Sequence, residues 1–123
     1  MAFAEPQFEL SEEDLDERTH IIAIAGEIHV STAPRFSVLL DEAVSRGKTA
    51  VVLDLSAVEF IDSTGLSVLL NGLRRVNRQR GRMALVCTNP TVLRLFEITR
   101  LDATFDIHPS REAALSAVRS AAS

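Results

Sequence analysis

The period of apolar and polar positions changes along this chain, most sharply between Ala50 and Val76. Ala50-Val51-Val52-Leu53-Asp54-Leu55 is a nearly unbroken apolar run, the pattern of a strand buried on both faces. Further on, Leu66, Leu69, Leu70, Leu73 and Val76 recur at the three-and-four spacing of one helix face. Between them, Asp62-Ser63-Thr64-Gly65 suits a helix start. Asp62 or Ser63 can cap the first free N–H groups, and Gly65 keeps the first turn bare of side chain. A helix beginning there turns its positive end and several unpaired N–H groups toward the Ser63 hydroxyl, a place that tolerates a phosphate.

The same patterning predicts the remaining elements. Residues 1–7 form a loose lead-in, Phe8-Glu9-Leu10 begins a weakly alternating strand, and the acidic segment Asp14 to Arg18 turns it back. His20 to Gly26 is apolar enough for a central strand. Ser31 or Thr32 caps a helix with Pro34 in its first turn and Phe36, Leu39, Leu40, Ala43 and Val44 on one face, stopping near Gly47. After the central strand (50–55) and helix (63–80, ended by Gly81), Arg82 to Cys87 reads as another buried strand. Asn89-Pro90 opens a third helix with Val92, Leu93, Leu95, Phe96 and Ile98 inward. Ala103 to Ile107 is a last short strand, and Ser110 caps a final helix over 111–121 with Ala113, Ala114, Leu115, Ala117 and Val118 as its apolar side. Alternation of this kind predicts one α/β domain spanning 1–123. Its sheet is mixed but mostly parallel, with an antiparallel N-terminal edge hairpin and about four helices.

Composition narrows the class. A chain of 123 residues, 46% hydrophobic and 24% charged, builds one soluble core. The single Cys87 sits in an apolar run, which predicts a buried free thiol in a reducing compartment and excludes a disulfide framework or a cysteine-based zinc cluster. Neither an export signal nor an apolar run of membrane-spanning length is visible, so the expected location is the cytoplasm, without membrane insertion. Residues 5–17 hold seven acids and residues 74–82 five arginines. The plainer reading is a solvated acidic hairpin and a helix end whose arginines oppose its dipole. It is preferred to a partner-binding patch, because the net charge is −4 and nucleic-acid binders of this size are usually strongly basic.

Ser63 as a hydrolytic nucleophile needs a general base and usually a glycine-flanked elbow. The elbow pattern is absent, and nothing in the sequence brings His20, His29 or His108 to it. Three scattered histidines make no metal site, and no glycine-rich phosphate loop appears, so neither an enzyme nor a cofactor is expected. The residues alone leave two readings of Ser63 open: a plain helix cap worth about 1 kcal/mol, or a phosphorylation site.

Leu53-Asp54-Leu55-Ser56-Ala57-Val58-Glu59-Phe60-Ile61-Asp62-Ser63-Thr64-Gly65-Leu66 resembles the signature of the STAS domain, in particular that of the free-standing anti-sigma-factor antagonists of bacteria. Ala25-Gly26-Glu27-Ile28 before Ser31-Thr32-Ala33-Pro34 resembles the family's Gly-Glu-Leu/Ile-Asp entry to its first helix. Asn89 to Thr99 resembles its Arg-Leu-Phe-Asp-x-Thr-Gly-Leu segment. The resemblance spans roughly residues 8 to 120 and rests on three motifs in order. It implies that Ser63 is phosphorylated by a partner anti-sigma factor, a serine kinase with a histidine-kinase-like, ATP-binding fold. The unphosphorylated chain then binds that kinase and frees the sigma factor, and a protein phosphatase resets the cycle. It further implies that Asp62 orients the acceptor and that Thr64, Gly65 and Leu66, with Glu27, His29 and Ser31 in the neighbouring loop, form the docking surface. Thr64 ranks below Ser63 as acceptor.

Two residues depart from the family pattern: His29 stands where aspartate is usual, and Arg100 replaces the glycine after Thr99. The first puts partner identity and pH response in question, and the second predicts a different end to the third helix. The alternatives are a STAS accessory subunit of a signalling assembly or of a membrane lipid-transport complex, and a small hydrolase.

Overall fold

A computed structural model of the chain describes residues 8–120; the expected lead-in 1–7 and the end of the last helix beyond 120 lie outside them. Five strands form one sheet in the order β1 (Phe8–Asp14), β2 (Thr19–Ile28), β3 (Ala50–Ile61), β4 (Arg82–Val86), β5 (Asp106–His108). β1 runs antiparallel to β2, and every other neighbouring pair is parallel. Parallel neighbours require crossovers, and helices supply them: α1 (Ala33–Ser45), α2 (Ser63–Arg78), α3 (Pro90–Ile98) and α4 (Arg111–Ser120). The sheet's two faces carry separate cores. Ile22, Ile24, Leu53, Leu55 and Leu85 meet α1, α2 and α3 on one side. Ile21, Val52, Ala84 and Val86 meet Ala114 and Val118 of α4 on the other.

Several sequence expectations change. β3 extends past Leu55 to Ile61, because Ala57, Val58, Phe60 and Ile61 continue to pair with β2 after β4 has ended opposite Asp54. Its outer half is mostly exposed, burying Val58 and Ile61 and exposing Ser56, Ala57, Glu59 and Phe60. β2 also runs on to Ile28, with register shifts that Gly26 accommodates at φ 102°. The last strand lies later than expected. Arg100 reverses the chain into a short 3-10 turn (Leu101–Ala103), and Phe105 turns inward against Phe96, ring centroids 5.8 Å apart. Ile98 is 68% exposed rather than inward, because α3 buries only Val92 and Phe96 fully and Leu93 and Leu95 in part.

Helix ends explain some unusual residue choices. α1 closes with Gly47 at φ 83°, its N–H on the Val44 carbonyl and that of Lys48 on Ala43, both satisfying free carbonyls. At the end of α2 the left-handed position falls on Arg80 (φ 60°) rather than on Gly81. Gly81 is needed for a different reason: a Cβ there lies 2.5 Å from the Thr49 carbonyl oxygen, which no side chain allows. Arg100 takes the left-handed conformation at φ 61°, so α3 ends as a glycine would end it, in a geometry costing a non-glycine residue about 1 kcal/mol. Arg100→Gly therefore gains a net 0.5–1 kcal/mol or so, after the entropy that glycine adds to the unfolded chain. Thermal unfolding reads this as a rise of about 2–4 °C, and an unchanged or lower Tm contradicts it.

The acidic hairpin is tied down rather than merely solvated. Asp14 meets the imidazole of His20, Arg46 at 3.2 Å and Lys48 at 3.4 Å. The Lys48 ammonium also donates to the Asp16 carbonyl at 2.8 Å, and Glu13 pairs with Arg111 at 3.4 Å. His20 is 1% exposed, its Nε2 3.4 Å from Glu12. These partners come from β2, the segment after α1, and α4, so local charge counting could not reveal them.

Candidate functional site

The site assembles at the C-terminal end of the parallel strands, where β2 and β3 finish together: Ile28 pairs with Ile61, and the Asp62 N–H donates to the Ile28 carbonyl at 3.1 Å. That bond fixes the start of α2 against the loop leaving β2. Asp62 is extended (φ −104°, ψ −173°), and its Oδ1 accepts from the Gly65 N–H at 3.1 Å. Asp62 is thus the cap, and Ser63 is the first residue inside the helix.

This arrangement removes one of the two readings that the residues left open: the capping side chain is that of Asp62, not that of Ser63. The Ser63 hydroxyl is exposed and, among the described residues, accepts and donates no hydrogen bond; its carbonyl accepts from the Ser67 hydroxyl at 3.0 Å. The Ser63 and Thr64 N–H groups also lack partners among the described residues, and the first turn holds no acidic residue. A negative charge on Ser63 therefore meets the positive end of a sixteen-residue helix with two free donors. Asp62, by contrast, has its carboxylate committed to Gly65, so no direct contact orients the Ser63 hydroxyl.

Thr64 is half-buried, and Gly65 and Leu66 face the core, Leu66 at 7% exposure. The burial of Gly65 and Leu66 corrects the expected place of those two on a docking surface. Gly65 does not bare the outer side of the first turn. A Cβ on it lies 2.7 Å from both Ile28 Cγ2 and Ile61 Cγ1, so glycine lets the helix start sit tightly on the strand ends. Asp62→Ala removes the cap and lowers stability by about 1 kcal/mol, a Tm fall of about 4 °C. Retention of the wild-type Tm by this variant contradicts the capping geometry.

The loop beside the helix start is ordered by Thr32, whose role the sequence did not disclose. Instead of capping α1, its hydroxyl accepts from the His29 N–H at 3.0 Å and donates to the Glu27 carbonyl at 2.7 Å. Ser31 makes no cap either: its backbone N–H donates to His29 Nδ1 at 3.2 Å. In that bond the imidazole Nδ1 is the acceptor, which ties the ring to its own loop. Glu27 and His29 are half-exposed, Ser31 is exposed, and Val30 stands 69% exposed between them. Val30 has no signal in the sequence, since only the tight turn at 29–32 turns it outward.

None of the three histidines hydrogen-bonds to Ser63. His20 is buried with Asp14 and Glu12 where β2 begins, at the opposite end of the sheet. His108, on β5, lies 2.8 Å from Asp106. His29 is next to the helix start but has its Nδ1 occupied by Ser31. Cys87 is buried and unpaired, and burial pushes its thiol pKa up, away from nucleophilic use.

Comparison with known proteins agrees with this architecture. The family model of the STAS domain matches residues 12–114. The chain is 36% identical over 102 residues to the anti-sigma-B factor antagonist of Listeria monocytogenes, covering 80% of this chain and 85% of that protein. It is 32% identical over 97 residues to the anti-sigma F factor antagonist of Paenibacillus polymyxa, covering 78% and 83%. Among solved structures, an anti-sigma factor antagonist from Mycobacterium paratuberculosis superposes with a TM-score of 0.85 at 34% identity, covering 94% of this chain and 97% of that one. The chain belongs to the STAS domain family. Within it, the chain groups with the anti-sigma-factor antagonists, which are regulatory binding proteins and not enzymes. No helix among the described residues is long and apolar enough to cross a membrane.

Proposed function

We propose that this chain is a cytoplasmic, phosphorylation-switched antagonist of an anti-sigma factor, with Ser63 as the switch. Its partner is a serine kinase with an ATP-binding, histidine-kinase-like fold that sequesters a sigma factor. The unphosphorylated chain binds the kinase and frees the sigma factor; the kinase phosphorylates Ser63 and lets go; a protein phosphatase restores the cycle. One observation carries this reading: Asp62 does the capping, which leaves the Ser63 hydroxyl exposed and unengaged at the positive end of α2. Asp62, Thr64, Glu27, His29 and Ser31 surround it as the docking face, while Gly65 and Leu66 act from beneath by seating the helix.

Phosphate adds a charge of about −1.5 to −2 beside Asp62. In the free chain, water and the two unpaired N–H groups stabilise it. In a packed complex, partner groups must desolvate it next to a second carboxylate, which weakens binding without refolding either protein. The test is displacement in a reconstituted mixture of sigma factor and anti-sigma kinase, followed by size-exclusion chromatography. The unphosphorylated chain releases the sigma factor; after incubation with ATP the wild-type chain no longer does, whereas Ser63→Ala still does. Failure of the unphosphorylated chain to displace, or loss of displacement by Ser63→Ala after ATP, overturns the proposal.

A further inference from the structure

β4 stops opposite Asp54, and from there to Ile61 β3 keeps β2 as its strand neighbour on one side only. On the other side α3 takes the place of a strand. The Asn89 carboxamide, at the start of α3, donates to the Val58 carbonyl at 3.2 Å, where β4 would otherwise have continued. Beyond that bond a groove of about 210 Å3 separates the strand edge from the helix. Phe60 and Ile61 form its strand wall, and Thr91, Leu95 and Ile98, which share one face of α3, form the other. Phe60 is 47% and Ile98 68% exposed, so two large apolar side chains stand open in the same groove. Small-molecule sites span about 300–1,000 Å3, and this smaller groove suits single side chains.

Free strand edges in folded proteins are commonly blunted by charge, proline or a covering element. Between Ala57 and Ile61 only Glu59 is charged and no residue is proline, and α3 stands off from the edge by the width of the groove. The groove lining itself contains one charged side chain, Arg94. Among the described residues, the arginines paired with acids are Arg46, Arg75, Arg111 and Arg119, so Arg94 has no acidic partner. A main-chain edge facing an apolar helix face can accept an added strand: main-chain hydrogen bonds give affinity, and side chains at every second position give selectivity.

We propose that this groove binds an extended segment of a partner protein as an added strand along β3. The segment places an aliphatic side chain between Phe60 and Ile98, and an acidic residue two positions away, on the same side of the strand, pairs with Arg94. Because β3 ends at Ile61 and α2 begins at Ser63, the segment lies alongside the residues that lead into the helix start. The proposal does not depend on modification of Ser63.

NMR titration of the labelled full-length chain tests it with three capped hexapeptides. The first has threonine at every second position, with valine, glutamate and valine between; the second has lysine in place of glutamate; the third is the first with its main-chain nitrogens methylated. The expected result is saturable binding of the glutamate peptide, with amide shifts at residues 57–61 and on α3. The lysine peptide binds about tenfold more weakly, and Arg94→Glu reverses that preference. Ile98→Ser weakens the glutamate peptide by about tenfold and, because Ile98 is exposed, leaves the Tm unchanged. The methylated peptide, which lacks donors for a strand ladder, does not bind. Absence of saturable binding, an unreversed preference in Arg94→Glu, or full binding of the methylated peptide overturns the proposal. So does a dimer that Ile98→Ser dissociates, which gives the groove to a second copy, or tighter peptide binding in Phe3→Ala, which gives it to residues 1–7.

Discussion

Ser63→Asp lowers the affinity for the anti-sigma partner by about a hundredfold, close to 2.7 kcal/mol, and leaves the fold intact. The two halves of this result have different causes. In the free protein the new carboxylate sits at the first position of α2, where no other acid occupies the first turn and two N–H groups are unpaired. Charge there interacts favourably with the helix end by about 0.3–1 kcal/mol, so the Tm is unchanged or slightly raised. In the complex the same charge must lose water beside Asp62 against a packed surface, and two or three lost contacts account for the loss. Calorimetric titration of the partner, paired with a thermal melt, separates the two. Wild-type affinity in the variant removes the electrostatic basis of the switch. A large drop in Tm instead makes the binding loss a folding defect.

The contrasting case is Phe36→Ala. Phe36 is fully buried on α1, in the core shared with β2, β3 and α2. Truncating such a ring removes its transfer free energy and leaves a cavity that the close-packed surroundings fill only in part, for about 3–5 kcal/mol in total. Against a typical domain stability of about 5–15 kcal/mol that is a large fraction, and the Tm falls by roughly 10–20 °C. α1 also leads out of the 29–32 loop, and its Leu40 packs where Gly72 leaves room on α2, so both flanks of the Ser63 site loosen together. Denaturant unfolding gives the size of the effect. A loss below about 1 kcal/mol contradicts the packing described here.

The elements legible in the sequence were those with strong periodicity: the apolar run from Ala50 to Leu55, the Leu66 to Val76 stripe and the caps at Asp62, Asn89 and Ser110. What escaped depended on partners distant in the chain. The outer half of β3 holds together by pairing with β2 alone, so its mostly exposed residues gave no continuous apolar signal. Ile98 has the spacing of a core residue, yet α3 lies on the sheet through Val92 and Phe96, leaving Ile98 outside. Gly65 and Leu66 carry the family motif, but the motif cannot say which of its residues face a partner and which seat the helix on Ile28 and Ile61. The hydroxyl of Thr32 was equally available for capping α1; the depth of the turn at 29–32 directs it to Glu27 instead. Arg100 shows the reverse error, since tertiary packing holds an arginine in the left-handed geometry that propensity argued against.

The central claim is that the free hydroxyl at the start of α2 accepts the phosphate, and site-resolved mass spectrometry after incubation with the anti-sigma kinase and ATP tests it most directly. The expected spectrum shows one added phosphate on the wild-type chain, located at Ser63, and none on Ser63→Ala. A phosphate that persists on Ser63→Ala, or a wild-type chain left unmodified by a kinase active on another substrate, contradicts it.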